Sequence, residues 1–224
     1  MVIDMPIEMI RPNCRMESKI SSGQMLNFIK QDAYQIMGQL EGWCSLEKAA
    51  ILIDLIMMTD AMRVVEIGVF GGKSLLPMAL VMKHKGYGRC YGIDPWSAEE
   101  SLVGMEDQNA DWWGSLDHEQ IYQGLLMKIK QFGLSHEIRL IRETSANASE
   151  ITDIDILHID GNHSEVTSMI DVTKWVPLVR KGGFIIFDDM NWATQKRAVE
   201  WLDEHCTKIA EFEGDNIWGI WVKP

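Results

Sequence analysis

The sequence predicts an α/β fold built on a doubly wound, mostly parallel sheet. Five short apolar runs each end in a polar residue or a glycine, and helical stretches separate them. Strands buried on both faces form continuous apolar runs, and parallel strands need helical crossovers. The five runs are RVVEIG (63–68), CYGID (90–94), IRLI (138–141), IDILHID (154–160) and GFIIFDD (183–189). Their alternation with helices is typical of a Rossmann-like architecture.

Segments in which apolar residues recur at helical spacing lie before and between these runs. From Met25 to Leu40 the apolar positions follow this spacing, and Gly42 comes next as a stop signal. Further helices are predicted over residues 46–59, 74–84, 119–132, 164–176 and 194–205, and Pro177 ends the fourth of these.

The last part of the chain predicts two more strands, which brings the sheet to seven. KIAEFEG (208–214) and IWGIWV (217–222) flank an Asp-Asn turn, so we expect a C-terminal antiparallel hairpin. Residues 1–20 show no period and are predicted to be a loose arm. We divide the chain into residues 1–44, an N-terminal arm and helix that acts as a cap or an oligomer contact, and residues 45–224, the main domain.

The composition excludes several classes of protein. The chain has 224 residues, 46% of them hydrophobic, which suits one globular domain. Its net charge of −12 argues against a nucleic-acid partner, since phosphate backbones need a basic stripe. The longest apolar run, residues 49–58, is shorter than the roughly 20 residues that span a bilayer. Residues 1–12 lack the basic start of a secretory signal. Four well-separated cysteines indicate free thiols, so we predict a cytoplasmic protein without a membrane partner.

The segment EIGVFGGKS, residues 66–74, follows the first predicted strand and can be compared with three loop motifs. A nucleotide phosphate loop needs G-x-x-x-x-G-K-[ST]. Counting back from Lys73 places the first glycine of that motif at position 67, where the chain has Ile67. A dinucleotide loop needs G-x-G-x-x-G, and its middle glycine is missing here.

The third interpretation is a Glu-x-Gly-x-x-Gly-Gly-x-Ser turn for a cofactor with a carboxylate, an amine and a ribose but no phosphate. Gly68 and Gly72 allow close approach of the backbone. The helix start at Ser74 offers N–H groups and a hydroxyl to a carboxylate. Asp94 ends the second strand, where an acid can bind both ribose hydroxyls. The alternative for Glu66 and Asp94 is ordinary solvation at strand ends.

With these residues the sequence resembles the class I S-adenosylmethionine-dependent methyltransferases, and within them the metal-dependent small-molecule O-methyltransferases. EIGVFGGKS matches the E-L-G-x-Y-x-G-x-S loop of the catechol type place for place, with Ile for Leu and Phe for Tyr. HIDGNHS and FDD are similar to segments of macrolide and aminocoumarin sugar O-methyltransferases and of cephalosporin-hydroxylase-like proteins. The resemblance covers about residues 45–192. It implies S-adenosyl-L-methionine as the cofactor, held by Glu66, Gly68, Ser74 and Asp94, with Ser145 near the adenine.

Three acids follow the fourth and fifth predicted strands, whose carboxyl ends line one crevice of such a sheet. Asp160, Asp188 and Asp189 would repel one another there and raise one another's pKa. A hard cation resolves the conflict, and Mg²⁺ takes about six oxygen ligands. We therefore predict one divalent cation, Mg²⁺, at these three residues; the relatives also have acidic or amide residues there. The alternative is solvated or helix-capping acids.

His163 lies three residues after Asp160, where the catechol type and some sugar enzymes carry their presumed base. The sulfonium methyl is already activated, so methyl transfer depends on ionising the acceptor hydroxyl. A cation lowers the pKa of that hydroxyl, and a base takes its proton. Histidine titrates in a suitable range. We predict that His163 and Asp160 are catalytic; the alternative for His163 is a helix N-terminal residue without a catalytic role.

Residues 95–123 form a long connection, since most such loops have about 2–6 residues. Trp96, Trp112 and Trp113 lie there among acids, which suits a lid over a sugar or polyol, a homodimer contact or plain packing.

The leading hypothesis is a metal-dependent O-methyltransferase for a small hydroxylated acceptor: a sugar, a polyol, a phenol or a natural-product intermediate. The alternatives are a protein of the same fold with hydroxylase-like or N-methylation chemistry, and a non-catalytic protein that binds the cofactor. The sequence leaves the oligomeric state open, including a homo-oligomer.

Overall fold

The computed structural model describes residues 22–214 and 216–224. Within these ranges seven strands form one sheet in the order β3-β2-β1-β4-β5-β7-β6. The strands are β1 (Arg63–Ile67), β2 (Arg89–Ile93), β3 (Ile138–Ile141), β4 (Ile154–Ile159), β5 (Val179–Phe187), β6 (Thr207–Phe212) and β7 (Trp218–Val222). β1 to β5 are parallel, whereas β7 runs antiparallel to both β5 and β6. The predicted doubly wound sheet with its C-terminal antiparallel hairpin is confirmed.

In the described ranges eight α-helices flank the sheet. They are α1 (Ser22–Met37), α2 (Leu46–Thr59), α3 (Leu75–Lys85), α4 (Ala98–Ser101), α5 (Asp107–Ser115), α6 (His118–Gln131), α7 (Glu165–Ile170) and α8 (Lys196–His205). A π-helical turn, Asp171–Trp175, and a 3-10 turn, Val176–Leu178, continue α7, so the helix predicted over 164–176 is irregular in its second half. The sequence did not predict α4 and α5, which lie in the long connection after β2.

Helices cover both faces of the sheet. Side chains from α1, α2, α3 and α6 pack on one face, and those from α8 and the π-helical turn pack on the other. Trp175 and Leu52 are fully buried examples from the two layers, and each such side chain stabilises the fold by about 1.5–3 kcal/mol. No helix in the described part of the chain is long and apolar enough to cross a membrane.

The described part of the N-terminal segment shares this core. Ile29 and Ala33 of α1 are fully buried in the cluster formed with α2 and α3. The chain division at residue 45 stays a prediction, and the arm predicted over residues 1–20 lies outside the described residues.

The strand ladders continue past the strand ends and align the residues that follow. Gly68 N–H donates to Ile93 at 2.9 Å, Asp160 N–H to Ile67 at 2.8 Å and Asp188 N–H to Ile159 at 3.0 Å. Gly68, Asp160 and Asp188 therefore lie side by side at the carboxyl edge of β1, β4 and β5. Gly68 has a φ of +82°, and a Cβ there would lie 1.9 Å from the Asp160 carbonyl oxygen.

We expect Gly68→Ala to destabilise the protein by about 3 kcal/mol or more, because it combines a backbone clash with an unfavourable φ. Gly86→Ala is the matched control, since Gly86 has a φ of +76° and no atom within 4 Å of an added Cβ. It should cost only about 1–2 kcal/mol. Urea unfolding followed by tryptophan fluorescence measures both, and equal losses would contradict the proposed clash.

Candidate active site

A cavity of about 700 Å³ opens at the carboxyl edge of β1, β2, β4 and β5. Its volume is within the usual range for small-molecule sites. Eight of the predicted site residues line it: Gly68, Ser74, Asp94, Ser145, Asp160, His163, Asp188 and Asp189. The other two, Glu66 and Gly72, lie behind its wall.

Asp94 holds the turn after β1 in place. Its Oδ2 accepts from the backbone N–H groups of Val69 and Phe70, each at 2.9 Å, and its Oδ1 accepts from Trp96 N–H at 2.7 Å. Burial raises the pKa of this carboxyl, and the three backbone donors oppose the rise. A carboxylate has about four acceptor positions, so roughly one remains for a ligand in the cavity.

Glu66 and Ser74 belong to a buried chain of polar groups. The Ser74 hydroxyl donates to Glu66 Oε1, which also lies 2.8 Å from His158 Nδ1. His158 Nε2 lies 3.2 Å from Asp188 Oδ2, and both Glu66 and His158 are fully buried. The Ser74 hydroxyl, predicted to face a ligand carboxylate, is therefore engaged by the protein.

The hydrogen bonds among these buried groups require that some of them carry a proton. Burial lowers the pKa of His158 well below its ordinary value, so the imidazole is neutral and has one N–H. Burial also raises the pKa of Glu66 to about 8, although the Ser74 hydroxyl opposes the rise. A protonated Glu66 can donate to His158 Nδ1, and His158 Nε2–H can donate to Asp188. Every contact then joins a donor to an acceptor.

Gly72 serves packing within the protein. An added Cβ would lie 2.6 Å from Leu125 and 2.7 Å from Leu76, and the φ of Gly72 is +81°. Gly72 does not line the cavity, whereas Gly68 does, so only Gly68 is in a position for the predicted close approach to a ligand.

A lysine that the sequence analysis did not select lies among the acids. Lys48 of α2 pairs with Asp188 Oδ2, and its Nζ is 3.9 Å from Asp160 Oδ2. The Lys48 side chain is only 5% exposed. Enclosure in the cavity raises the pKa of Asp160 to about 6, and the Lys48 charge opposes that rise.

Asp189 is held by two other side chains. His163 Nε2 lies 2.9 Å from its Oδ2, and the Asn216 amide donates to its Oδ1 at 3.1 Å. Burial raises the pKa of Asp189, but His163, Asn216 and the Lys48 charge together outweigh this effect, so the pKa is lowered overall. Asp189 has a φ of +56°, a strained backbone conformation that is common at functional sites. His163 Nδ1 is buried without a hydrogen-bond partner among the described residues.

The predicted three-carboxylate metal site does not fit this arrangement. Asp188 is ion-paired with Lys48, and Asp189 is bonded to His163 and Asn216. Candidate ligand atoms within 4.8 Å of one another form two separate sets that share only Asp160: His158, Asp160 and Asp188; and Asp160, His163 and Asp189. The Lys48 ammonium lies among the ligand atoms of the first set. In the second set, His163 and Asp189 are bonded to each other. The three carboxylates therefore do not surround one open position.

Ser145 and Asp171, a second residue that the sequence analysis missed, also line the cavity. Both carboxylate oxygens of Asp171 are buried without a hydrogen-bond partner in the described residues. Burial raises the pKa of Asp171 to about 7, and the nearby Ser145 hydroxyl opposes the rise. Asp171 lines the cavity from the π-helical turn that follows α7. A buried carboxyl of this kind can bind a donor group of a ligand.

Aromatic side chains form the outer wall. The Trp43 ring lies 5.3 Å from the rings of Phe70 and Trp112, and Phe70 lies 5.9 Å from Trp113. Trp112 and Trp113 belong to α5, so the long connection after β2 does cover the cavity. Trp96 is instead buried and donates to the Phe70 carbonyl at 3.0 Å.

Comparison with known families decides the identity. The family profile described as "Methyltransferase domain" matches residues 65–190, more than half of the chain. The chain belongs to this methyltransferase family. A second profile, described as "O-methyltransferase", matches residues 16–112. Together the two matches confirm the sequence-based identification as a class I S-adenosylmethionine-dependent methyltransferase.

Three proteins similar to this methyltransferase share 28% identity or less with it. Uncharacterized protein R132 of Acanthamoeba polyphaga mimivirus is 28% identical over 80% of this chain and 73% of its own length. A putative caffeoyl-CoA O-methyltransferase from Staphylococcus aureus has a TM-score of 0.61 at 15% identity, over 92% of this chain and 94% of that one. The O-methyltransferase TomG from Streptomyces achromogenes, in complex with SAM, has a TM-score of 0.59 at 16% identity over 92% of each chain. At these identities the structures show a shared fold.

We expect Asp94→Ala to weaken both the turn and ligand binding. Three buried backbone N–H groups would lose their acceptor, which costs about 1–3 kcal/mol of stability, and affinity for S-adenosylhomocysteine should fall by a similar free energy. Urea unfolding without ligand and calorimetric titration measure the two effects. Unchanged values in both would show that Asp94 is only a solvated strand end.

Asp171 should make the ligand-free protein less stable as the pH rises. Its folded pKa of about 7 exceeds the ordinary value, so the folded state keeps a proton that the unfolded state releases between about pH 4 and 7. Asp171→Asn should remove part of this slope and stabilise the protein at pH 8 by an amount on the order of 1–3 kcal/mol. The control is Asp153→Asn, at an exposed site. Equal slopes in wild type and Asp171→Asn, measured by urea unfolding at pH 5 and pH 8, would refute the account.

Proposed function

We propose that this methyltransferase uses S-adenosyl-L-methionine to methylate a hydroxyl group of a small molecule. The acceptor classes are a sugar, a polyol, a phenol or a natural-product intermediate. The pair of His163 and Asp189 supports the proposal most directly, because it lies in the same cavity as the turn that Asp94 holds.

The cavity offers contacts suited to each part of the cofactor. The remaining acceptor position of Asp94 suits a ribose hydroxyl, and Gly68 lets the backbone approach the amino acid part. The Ser145 hydroxyl and the Asp171 carboxyl, which has no hydrogen-bond partner among the described residues, suit the ring nitrogens and amino group of adenine. When bound, S-adenosylmethionine supplies a methyl group on a positively charged sulfur.

His163 is the proposed general base. Asp189 accepts from Nε2–H, which fixes the tautomer and leaves Nδ1 to take the hydroxyl proton. Nδ1 is covered in this structure, so acceptor binding has to open a path to it. The Trp192 ring lies 4.6 Å from the imidazole and is the side chain that would move. The developing imidazolium is stabilised by the Asp189 carboxylate.

The aromatic wall suits an acceptor with an apolar or flat face. Trp43 is 65% exposed and Trp112 is 40% exposed, so both rings offer surface to a ligand. A sugar ring or a phenol can pack on them while its hydroxyl points towards His163. The net charge of −12 suits a neutral or cationic acceptor better than an anionic one. We continue to expect no nucleic-acid partner.

The divalent cation predicted from the sequence remains the alternative mechanism. It would require Lys48 and Asn216 to release Asp188 and Asp189, since both acids are engaged. No step of the proposed mechanism therefore uses a metal.

His163→Ala should lower turnover by about 10²–10⁴, the usual contribution of a positioned acid–base group. The measurement is S-adenosylhomocysteine release with a panel of hydroxylated acceptors. His205→Ala is the control, because His205 lies on the surface against Trp201.

The Asp189→Asn variant tests whether His163 or Asp189 is the general base. If His163 is the base, this change should cost less than His163→Ala, because the imidazole can still accept a proton. A larger loss in Asp189→Asn would make Asp189 the base. Transfer to amines alone, or no transfer with any acceptor despite cofactor binding, would favour N-methylation or a non-catalytic binding protein.

A further inference from the structure

Lys48 lies in an unfavourable position for a lysine. It is in the first turn of α2, where Ser45 caps the helix by accepting from Lys48 N–H at 3.1 Å. The positive end of the helix dipole disfavours a basic residue in this turn. Lys48 also stands on the buried stripe of α2 with Leu52 and Ile56. A residue that violates both local preferences usually has a functional reason.

The surroundings of the ammonium group explain its burial. Nζ pairs with Asp188 Oδ2, lies 3.9 Å from Asp160 Oδ2, and stands 5.7 Å from the centroid of the Trp218 ring. Lysine is seldom fully buried unless it is paired. Here one positive charge lies between two carboxylates at the inner wall of the cavity, and Lys48 itself lines that cavity.

We propose that Lys48 is the resident cation of the acidic cluster and takes the place of a divalent metal. Its ammonium neutralises Asp188 and offsets Asp160, while His163 pairs with Asp189. This one positive charge, supplied by the chain itself, lowers the net negative charge of the three carboxylates. A metal ion close enough to bind Asp160 and Asp188 would lie beside the ammonium and be repelled by it.

The proposal gives Lys48 a chemical role in the proposed function, on which this part of the inference rests. An ammonium group has three N–H donors. One is used by Asp188 and one is directed towards Asp160, which leaves one for the acceptor oxygen. A hydrogen bond from a cation stabilises the ionising hydroxyl as its proton moves to His163. Turnover should then continue without any divalent cation.

Binding of Mn²⁺, followed by its electron paramagnetic resonance signal, tests the proposal without an acceptor. Wild-type protein should bind Mn²⁺ no better than millimolar at this site. Lys48→Met should bind one Mn²⁺ about 10²-fold more tightly or better, because the repelling charge is gone and two carboxylates are freed. Lys48→Arg keeps the charge and should resemble the wild type.

Lys30→Met is the matched control. Lys30 forms an ion pair with Asp54 at 2.7 Å between α1 and α2, away from the cavity lining, so its removal should leave Mn²⁺ binding unchanged. If Lys48→Met does not fold, the wild-type titration and its comparison with Asp160→Asn still decide. One Mn²⁺ bound by the wild type with micromolar Kd, and lost in Asp160→Asn, would overturn the proposal. So would equal binding by the wild type and folded Lys48→Met. Failure to methylate any acceptor, with or without metal, would instead refute the proposed function and leave the Mn²⁺ result intact.

Discussion

The ion pair between Lys48 and Asp188 ends the buried polar chain on which the geometry of the site depends. From Ser74 the contacts pass through Glu66 and His158 to Asp188, and so join the start of α3 to β1, β4, the end of β5 and α2. Buried polar groups are costly unless each one has a partner. Each group in this series of contacts therefore needs the next, and the start of α3 is tied through them to Asp188.

Two groups of residues with different chemistry line one cavity. Asp94, Ser145 and Asp171 offer acceptors and hydroxyl groups suited to a nucleoside, whereas His163 and Asp189 form the proposed base and its orienting carboxylate. In the proposed function, the methyl group would be transferred within this cavity, at the carboxyl edge of the sheet. The same edge is where open α/β sheets generally place their ligands.

The sequence predicted the sheet because strand and helix periodicities are local properties. It also predicted that Gly68, Asp94, Asp160 and His163 would meet, since strand-end residues of a parallel sheet share one edge. It could not predict partners that depend on distant packing: Lys48 is 140 residues from Asp188.

A weaker local signal was present for the residues that were missed. Lys48 shares the buried stripe of α2 with Leu52, and Asp171 lies beside the fully buried Val172. A charged residue at a core position of a helix is a reason to expect a buried partner or ligand. Gly72 illustrates the converse error. It is part of a cofactor-binding motif, but close packing against Leu125 in the protein core already requires a glycine there.

The role of Lys48 can be tested by a crystal structure of the protein with S-adenosylhomocysteine, grown in Mn²⁺ and recorded at the manganese absorption edge. We expect the nucleoside between Asp94 and Asp171, Lys48 still paired with Asp188, and no anomalous peak at the acidic cluster. An anomalous peak about 2.1–2.2 Å from oxygens of Asp160, Asp188 and Asp189, with Lys48 turned away, would contradict it.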